Sequence, residues 1–212
     1  MSIQELVFSQ PFFRSQYVEK ESSVAVTERT IVLNLSEQPL GVQQQVLQQF
    51  ESVMIMNTQA VNVERAIFID GLDKHPDDAA LLAEVKKVWP LVYDVRKEER
   101  LKGVFHYISP REFLDGIELN LYLAGSVPLN VGLHKEHYGG VPLKEVHTQI
   151  VGFGKMQQCT EKDLATLYWE EFMAPGNTHR PMFDENGQYP WHQFETITES
   201  IFMAVEVQPE AK

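Results

Sequence analysis

The chain has 212 residues, with 18 Lys and Arg against 30 Asp and Glu, a formal net charge of −12, 43% apolar residues and a single cysteine. At roughly 100–200 residues per domain this length fits one domain, or one with an extension, and the acidic balance disfavours nucleic acid and anionic membranes as partners. Cys159 stands alone, which excludes an internal disulfide framework and thiolate metal clusters; with no signal-like leader in MSIQELVFSQPFF and no run near ~20 apolar residues, a cytoplasmic protein is expected.

In chain order, residues 24–35 (VAVTERTIVLNL) are rich in β-branched side chains and read as extended. From Val42 the apolar positions 42, 46, 50 and 53 recur at helical spacing between glutamines. This reads as an amphipathic helix whose glutamine face is solvated or serves as a homodimer contact. Residues 61–70 (VNVERAIFID) read as a strand. A second helix is signposted by Pro76, Asp77 and Asp78 at its start, by Lys86 and Lys87 near its end, and by Pro90 as its stop.

The texture changes near residue 110. A short helical turn is expected over 109–115 (SPREFLD), followed by extended runs at 117–125, 127–137, 145–157, 166–173 and 193–207. Closely spaced runs of this kind suggest a sandwich or small barrel. Residues 1–110 then form a mixed α/β segment packed on a β unit over 111–212. Gly152-Phe153-Gly154 has no helix after it, so it reads as a strand-to-strand turn rather than a phosphate-cradling loop.

Histidine placement carries the chemistry. Five of the seven histidines (His134, His137, His147, His179 and His192) lie within residues 134–192, where even usage gives roughly two. Because alternate residues of a strand share a face, Glu145, His147 and Gln149 point one way, while Val146, Thr148 and Ile150 point the other. A carboxylate and an imidazole about 7 Å apart on one face can converge on a cation when other strands add ligands. A lone strand histidine is usually structural; five clustered with a carboxylate favour a metal or proton-transfer site.

The run Glu145-Val-His147-Thr-Gln-Ile-Val-Gly152, with His134 and His137 before it, resembles the first motif of the cupins. Pro175-Gly176-Asn-Thr-His179 resembles their second. The resemblance covers about residues 115–207 and departs from the pattern in two places. His134-Lys-Glu-His137 is separated from Glu145 by the insertion YGGVPLK, and Phe183 stands where an asparagine is usual.

The resemblance implies a mainly β chain with a double-stranded β-helix barrel in its C-terminal half, holding one divalent ion inside. His137, Glu145 and His147 are the preferred carriers, His134 and Glu136 the alternatives, and His179 the ligand from the second motif. Such a donor set suits Fe(II), with Mn(II), Ni(II) or Zn(II) as alternatives. Glu145, His192 and Tyr189 are candidates for proton transfer, and Arg180 and Gln149 for contact with a small-molecule substrate. The implied activity is that of a mononuclear metal enzyme acting on a small polar metabolite, with oxygenase chemistry ahead of isomerisation or hydrolysis. A non-catalytic binding module is the alternative.

Overall fold

The computed structural model describes residues 2–125, 132–135, 144–183 and 188–207. The first part of the chain is β throughout: β1 (Ser2–Leu6), β2 (Arg14–Val26), β3 (Thr30–Asn34), β4 (Leu40–Val42), β5 (Gln45–Leu47), β6 (Ser52–Ile55) and β7 (Thr58–Asp70) form one sheet in the order β1-β2-β7-β3-β6, with the β4–β5 hairpin on β7. Two helices follow, α1 (Asp78–Val88) and α2 (Val92–Arg96). Asp77 caps α1 by accepting the N–H of Ala80 at 2.8 Å, and the helix ends before Pro90, as its signals predict.

The amphipathic helix expected from Val42 does not form; its residues lie in β4, β5 and β6. Gln43 and Phe50 adopt φ of 53° and 64°, left-handed values that break a helix at both ends of the window. Val42 and Phe50 are buried while Val46 is exposed. The helical spacing therefore came from a hairpin and a turn that happened to place apolar residues at intervals near four. The mixed α/β character expected of residues 1–110 reduces to helices between Asp78 and Arg96 after an all-β start.

The second part comprises β8 (His106–Ile108), β9 (Glu112–Leu114), β10 (Ile117–Ala124), β11 (Lys144–Val151), β12 (Gly154–Cys159), β13 (Leu167–Met173), β14 (Trp191–Thr196) and β15 (Ser200–Val207). Glu112 to Leu114 pair with β10 instead of forming the expected helical turn. One sheet runs β11-β15-β10-β8, with β9 also on β10, and a second runs β13-β12-β14. Gly152, at φ 72°, makes the turn between β11 and β12; a Cβ there would collide with the Glu199 carbonyl. The two sheets face each other across Tyr122, Met156, Met173, Phe194 and Phe202 and enclose the lumen of a two-sheet β-barrel. Much of the run expected over 127–137 lies outside the described residues.

The outer face of the five-stranded sheet is buried too. Leu119, Leu121, Leu123, Val146, Ile150, Ile201, Met203 and Val205 share one apolar core with Leu6, Phe8, Ile31, Ile67, Ile69, Leu81 and Trp89 from the first part. Alternation along β10, β11 and β15 thus separates two interiors, an apolar one against the first sheet and a mixed one in the barrel.

Candidate metal centre

Strand alternation places Glu145 and His147 in the lumen, as expected, and both are buried. Glu145 meets two histidines from other segments. His134 forms a bridge to His192 at the start of β14, with N–H to carbonyl bonds of 3.0 and 2.9 Å in the two directions. One ligand atom from each of His134, Glu145 and His192 lies within 4.8 Å of the others.

The tautomers suit a cation. His134 Nδ1 contacts the carbonyl of Gly132, and His192 Nδ1 lies 3.1 Å from the carbonyl of Pro190. Only a ring N–H can bond a carbonyl, so each histidine carries its proton on Nδ1 and presents the Nε2 lone pair. His192 Nε2 lies 3.6 Å from Glu145 Oε2. Burial, with His192 beside it, pushes the His134 imidazole down to about 3, so at neutral pH it is a neutral donor.

His147 has a different part. Its Nε2 lies 3.2 Å from Glu145 Oε1, so it orients the carboxylate from behind, as outer residues do around metal ligands. Tyr189 approaches the other oxygen, with its hydroxyl 3.5 Å from Glu145 Oε2. Burial first, then the Glu145 carboxylate, raises the Tyr189 phenol and keeps its proton in place.

His179 does not join this cluster. Its Nε2 accepts the backbone N–H of His147 at 2.8 Å, and its Nδ1–H donates to the Arg180 carbonyl at 2.7 Å. Both nitrogens are committed to the backbone, so in place of the expected metal ligand the structure has a histidine that ties residues 174–180 to β11. Burial, then His147 close by, pushes it down to about 3.

The Pro175-Gly176 turn serves packing as well. Gly176 sits at φ 91° against Met54 of β6. Ser52 donates to the Gly176 carbonyl at 2.7 Å and shares a 2.6 Å hydrogen bond with the Thr178 hydroxyl, which in turn bonds Thr148 at 2.7 Å.

Gln149 faces the lumen, deep and fully buried. Arg180 instead lines a cavity of about 760 Å³ at the surface, with Lys135, Tyr168, Trp169, Tyr189 and Trp191. Tyr189 is the wall between this cavity and Glu145. His137 and Glu136 lie outside the described residues. The sequence marks His192 as a proton-transfer candidate; its place beside Glu145 depends on the bridge to His134, which spacing does not reveal.

No family model and no curated protein matches the chain. Among solved structures it is similar to a Bacillus subtilis oxalate decarboxylase at 9% identity, covering 97% of this chain and 72% of that one with a TM-score of 0.36. A cupin 2 conserved barrel domain protein from Leptotrichia buccalis aligns at 11% identity over 98% and 88% of the two chains, TM-score 0.35. The salicylate 1,2-dioxygenase of Pseudoaminobacter salicylatoxidans aligns at 7% identity over 96% and 76%, TM-score 0.31. Likenesses this distant decide nothing about chemistry.

Proposed function

We propose that this chain is a mononuclear metal enzyme with a cupin-like barrel, in which His134, Glu145 and His192 hold one divalent ion. The carrying observation is the convergence of one ligand atom from each of His134, Glu145 and His192 within 4.8 Å. Two histidines and one carboxylate, with positions left open, are the donor set typical of non-haem Fe(II), so oxygenase chemistry on a small polar molecule is favoured; Mn(II), Ni(II) and Zn(II) accept the same donors.

When bound, such an ion supplies Lewis acidity and a coordination site for substrate and co-substrate. The protein's part is positional. His147 fixes Glu145 Oε1, and Tyr189 bonds Oε2 from the side of the cavity, which orients the carboxylate before any ion arrives. Glu206, in register with Glu145 across β11 and β15, is pushed up to about 7 by burial and by the carboxylates of Glu145 and Glu118. It can therefore hold or release a proton near neutral pH in register with Glu145.

The test is elemental analysis of protein purified without chelators and then offered Fe(II), Mn(II), Ni(II) and Zn(II). Close to one ion per chain is expected. No uptake of any of the four would sink the reading.

A further inference from the structure

Register turns the inner face of the five-stranded sheet into a grid. Across β10, β15 and β11, one row reads Glu118, Glu206, Glu145, the next Asn120, Ala204, His147, and the third Tyr122, Phe202, Gln149. Ala204 offers only a methyl between two larger side chains about 5 Å away on either hand.

Three side chains on this face keep a buried acceptor without a partner. Asn120 Nδ2 donates to Glu118 Oε1 at 3.2 Å, and Asn120 Oδ1 is buried without a hydrogen bond. Gln149 Nε2 donates to the Val151 carbonyl at 2.8 Å, and its Oε1 is left likewise. His147 directs Nε2 at a carboxylate oxygen, which leaves Nδ1 as a buried acceptor with no partner. In all three a buried acceptor remains, and each of the two amides keeps a second N–H beside it. On neighbouring β8, His106 has both ring nitrogens buried without partners, its ring 5.1 Å from that of Tyr122. Native proteins satisfy nearly all such groups, so their concentration on one lumen face points to a ligand that brings hydrogens.

We propose that the lumen binds a small neutral polyol, whose hydroxyls donate to Asn120 Oδ1, His147 Nδ1 and Gln149 Oε1. The inference deepens the metal-enzyme reading by naming its substrate class, and it rests on that reading only for the ion that shares the lumen. A carboxylate brings no hydrogen and would face these acceptors together with Glu118, Glu145 and Glu206. An ammonium, though drawn by those carboxylates, offers no acceptor to the spare amide N–H groups and would meet the Arg96 guanidinium, 5.5 Å above the Tyr122 ring, as well as the bound ion; Arg111 is spent on Glu118 at 2.9 Å. A hydroxyl carries no charge and can also accept from His106. The rings of Phe194 and Phe202, with centroids 4.1 Å apart, supply an apolar wall for its C–H groups.

The test is calorimetric titration of metal-loaded protein with three four-carbon probes, erythritol, succinate and 1,4-diaminobutane, repeated on protein stripped of metal. Erythritol is expected to bind at least tenfold more tightly than the other two. Asn120→Leu, which is nearly isosteric, should weaken erythritol roughly tenfold, the worth of one hydrogen bond. It should also keep its metal and melt no lower than the parent, because an unsatisfied acceptor has gone. Binding of succinate or the diamine at least as tight as erythritol, unchanged erythritol affinity in Asn120→Leu, or no erythritol binding by metal-loaded protein would overturn the inference. Polyol binding without metal uptake would leave the inference standing and remove the metal reading; metal uptake without polyol binding would do the reverse.

Discussion

His179 accepts the backbone N–H of His147 at 2.8 Å, so the imidazole nearest the second family-like motif stabilises the strand that carries the first. His179→Ala should therefore cost about 1–3 kcal/mol of stability, the penalty of a buried N–H left unpaired, while metal uptake stays near one ion per chain. Chemical denaturation alongside elemental analysis checks it; loss of metal at unchanged stability would return His179 to the ligand set.

His192 behaves in the opposite way. Because its Nε2 faces Glu145 Oε2, His192→Ala and Glu145→Gln should each abolish stable metal binding. His147→Ala should weaken affinity by about 10–100-fold, since it orients a ligand without being one. Thr148→Ala, on the other face of β11, should leave affinity unchanged. A competition assay with a metal-sensitive dye separates the three levels.

Two lumen groups add opposite slopes to the pH dependence, beside the depressed imidazoles of His134 and His179. Burial, with Arg96 and Arg100 nearby, pushes His106 down to about 3, so the unfolded chain binds its proton first. The stability His106 contributes is present above about pH 6.5 and is lost progressively as pH falls from there through the folded value of about 3. Glu206 runs the other way: raised to about 7 from 4.5, it contributes below its unfolded value, and the contribution is lost as pH rises through 7. His106→Phe should flatten the acid side of the stability profile, and Glu206→Gln should make the protein more stable at pH 8 than the parent. Urea unfolding of the metal-free protein at pH 5, 6, 7 and 8 reads both slopes.

The tight approach of β12 to β14 gives a steric prediction. A Cβ on Gly154 would run into the Phe194 ring, whereas one on Gly116 meets nothing and bears only the strain of φ 77°. Gly154→Ala should destabilise by about 1–3 kcal/mol as an overpacking change. Gly116→Ala should cost about 1–2 kcal/mol, a left-handed penalty alone. Gly154→Ala should also shift the aromatic signal of the lumen in near-ultraviolet circular dichroism, and Gly116→Ala should not.

Where sequence patterns matched a local cause, they were legible. Asp77 and Pro90 bounded α1, and alternation on β11 put Glu145 and His147 on one face because a strand's period is geometric. The helix expected from Val42 failed because four apolar positions cannot distinguish a 3.6 period from a hairpin whose turn uses left-handed Gln43. His134 and His192 are 58 positions apart in the chain, and only the bridge between them makes them neighbours. The part of His179 was hidden for another reason: whether an imidazole lone pair meets a cation or a backbone N–H depends on sub-ångström placement that no spacing encodes.

The sheet that carries Glu145 has no face exposed to water as its normal state: one side lines the lumen, and the other is pressed against the first sheet through Leu119, Leu121, Val146, Met203 and their partners. A fragment starting at residue 111 would present that second side as a broad apolar sheet, the kind of surface that drives aggregation. The residues before the barrel thus serve as its permanent apolar cover. Any ligand that stiffens the lumen should also raise the melting temperature of strands β1 to β7, which all end at least 36 positions before the first barrel strand, although it touches none of them.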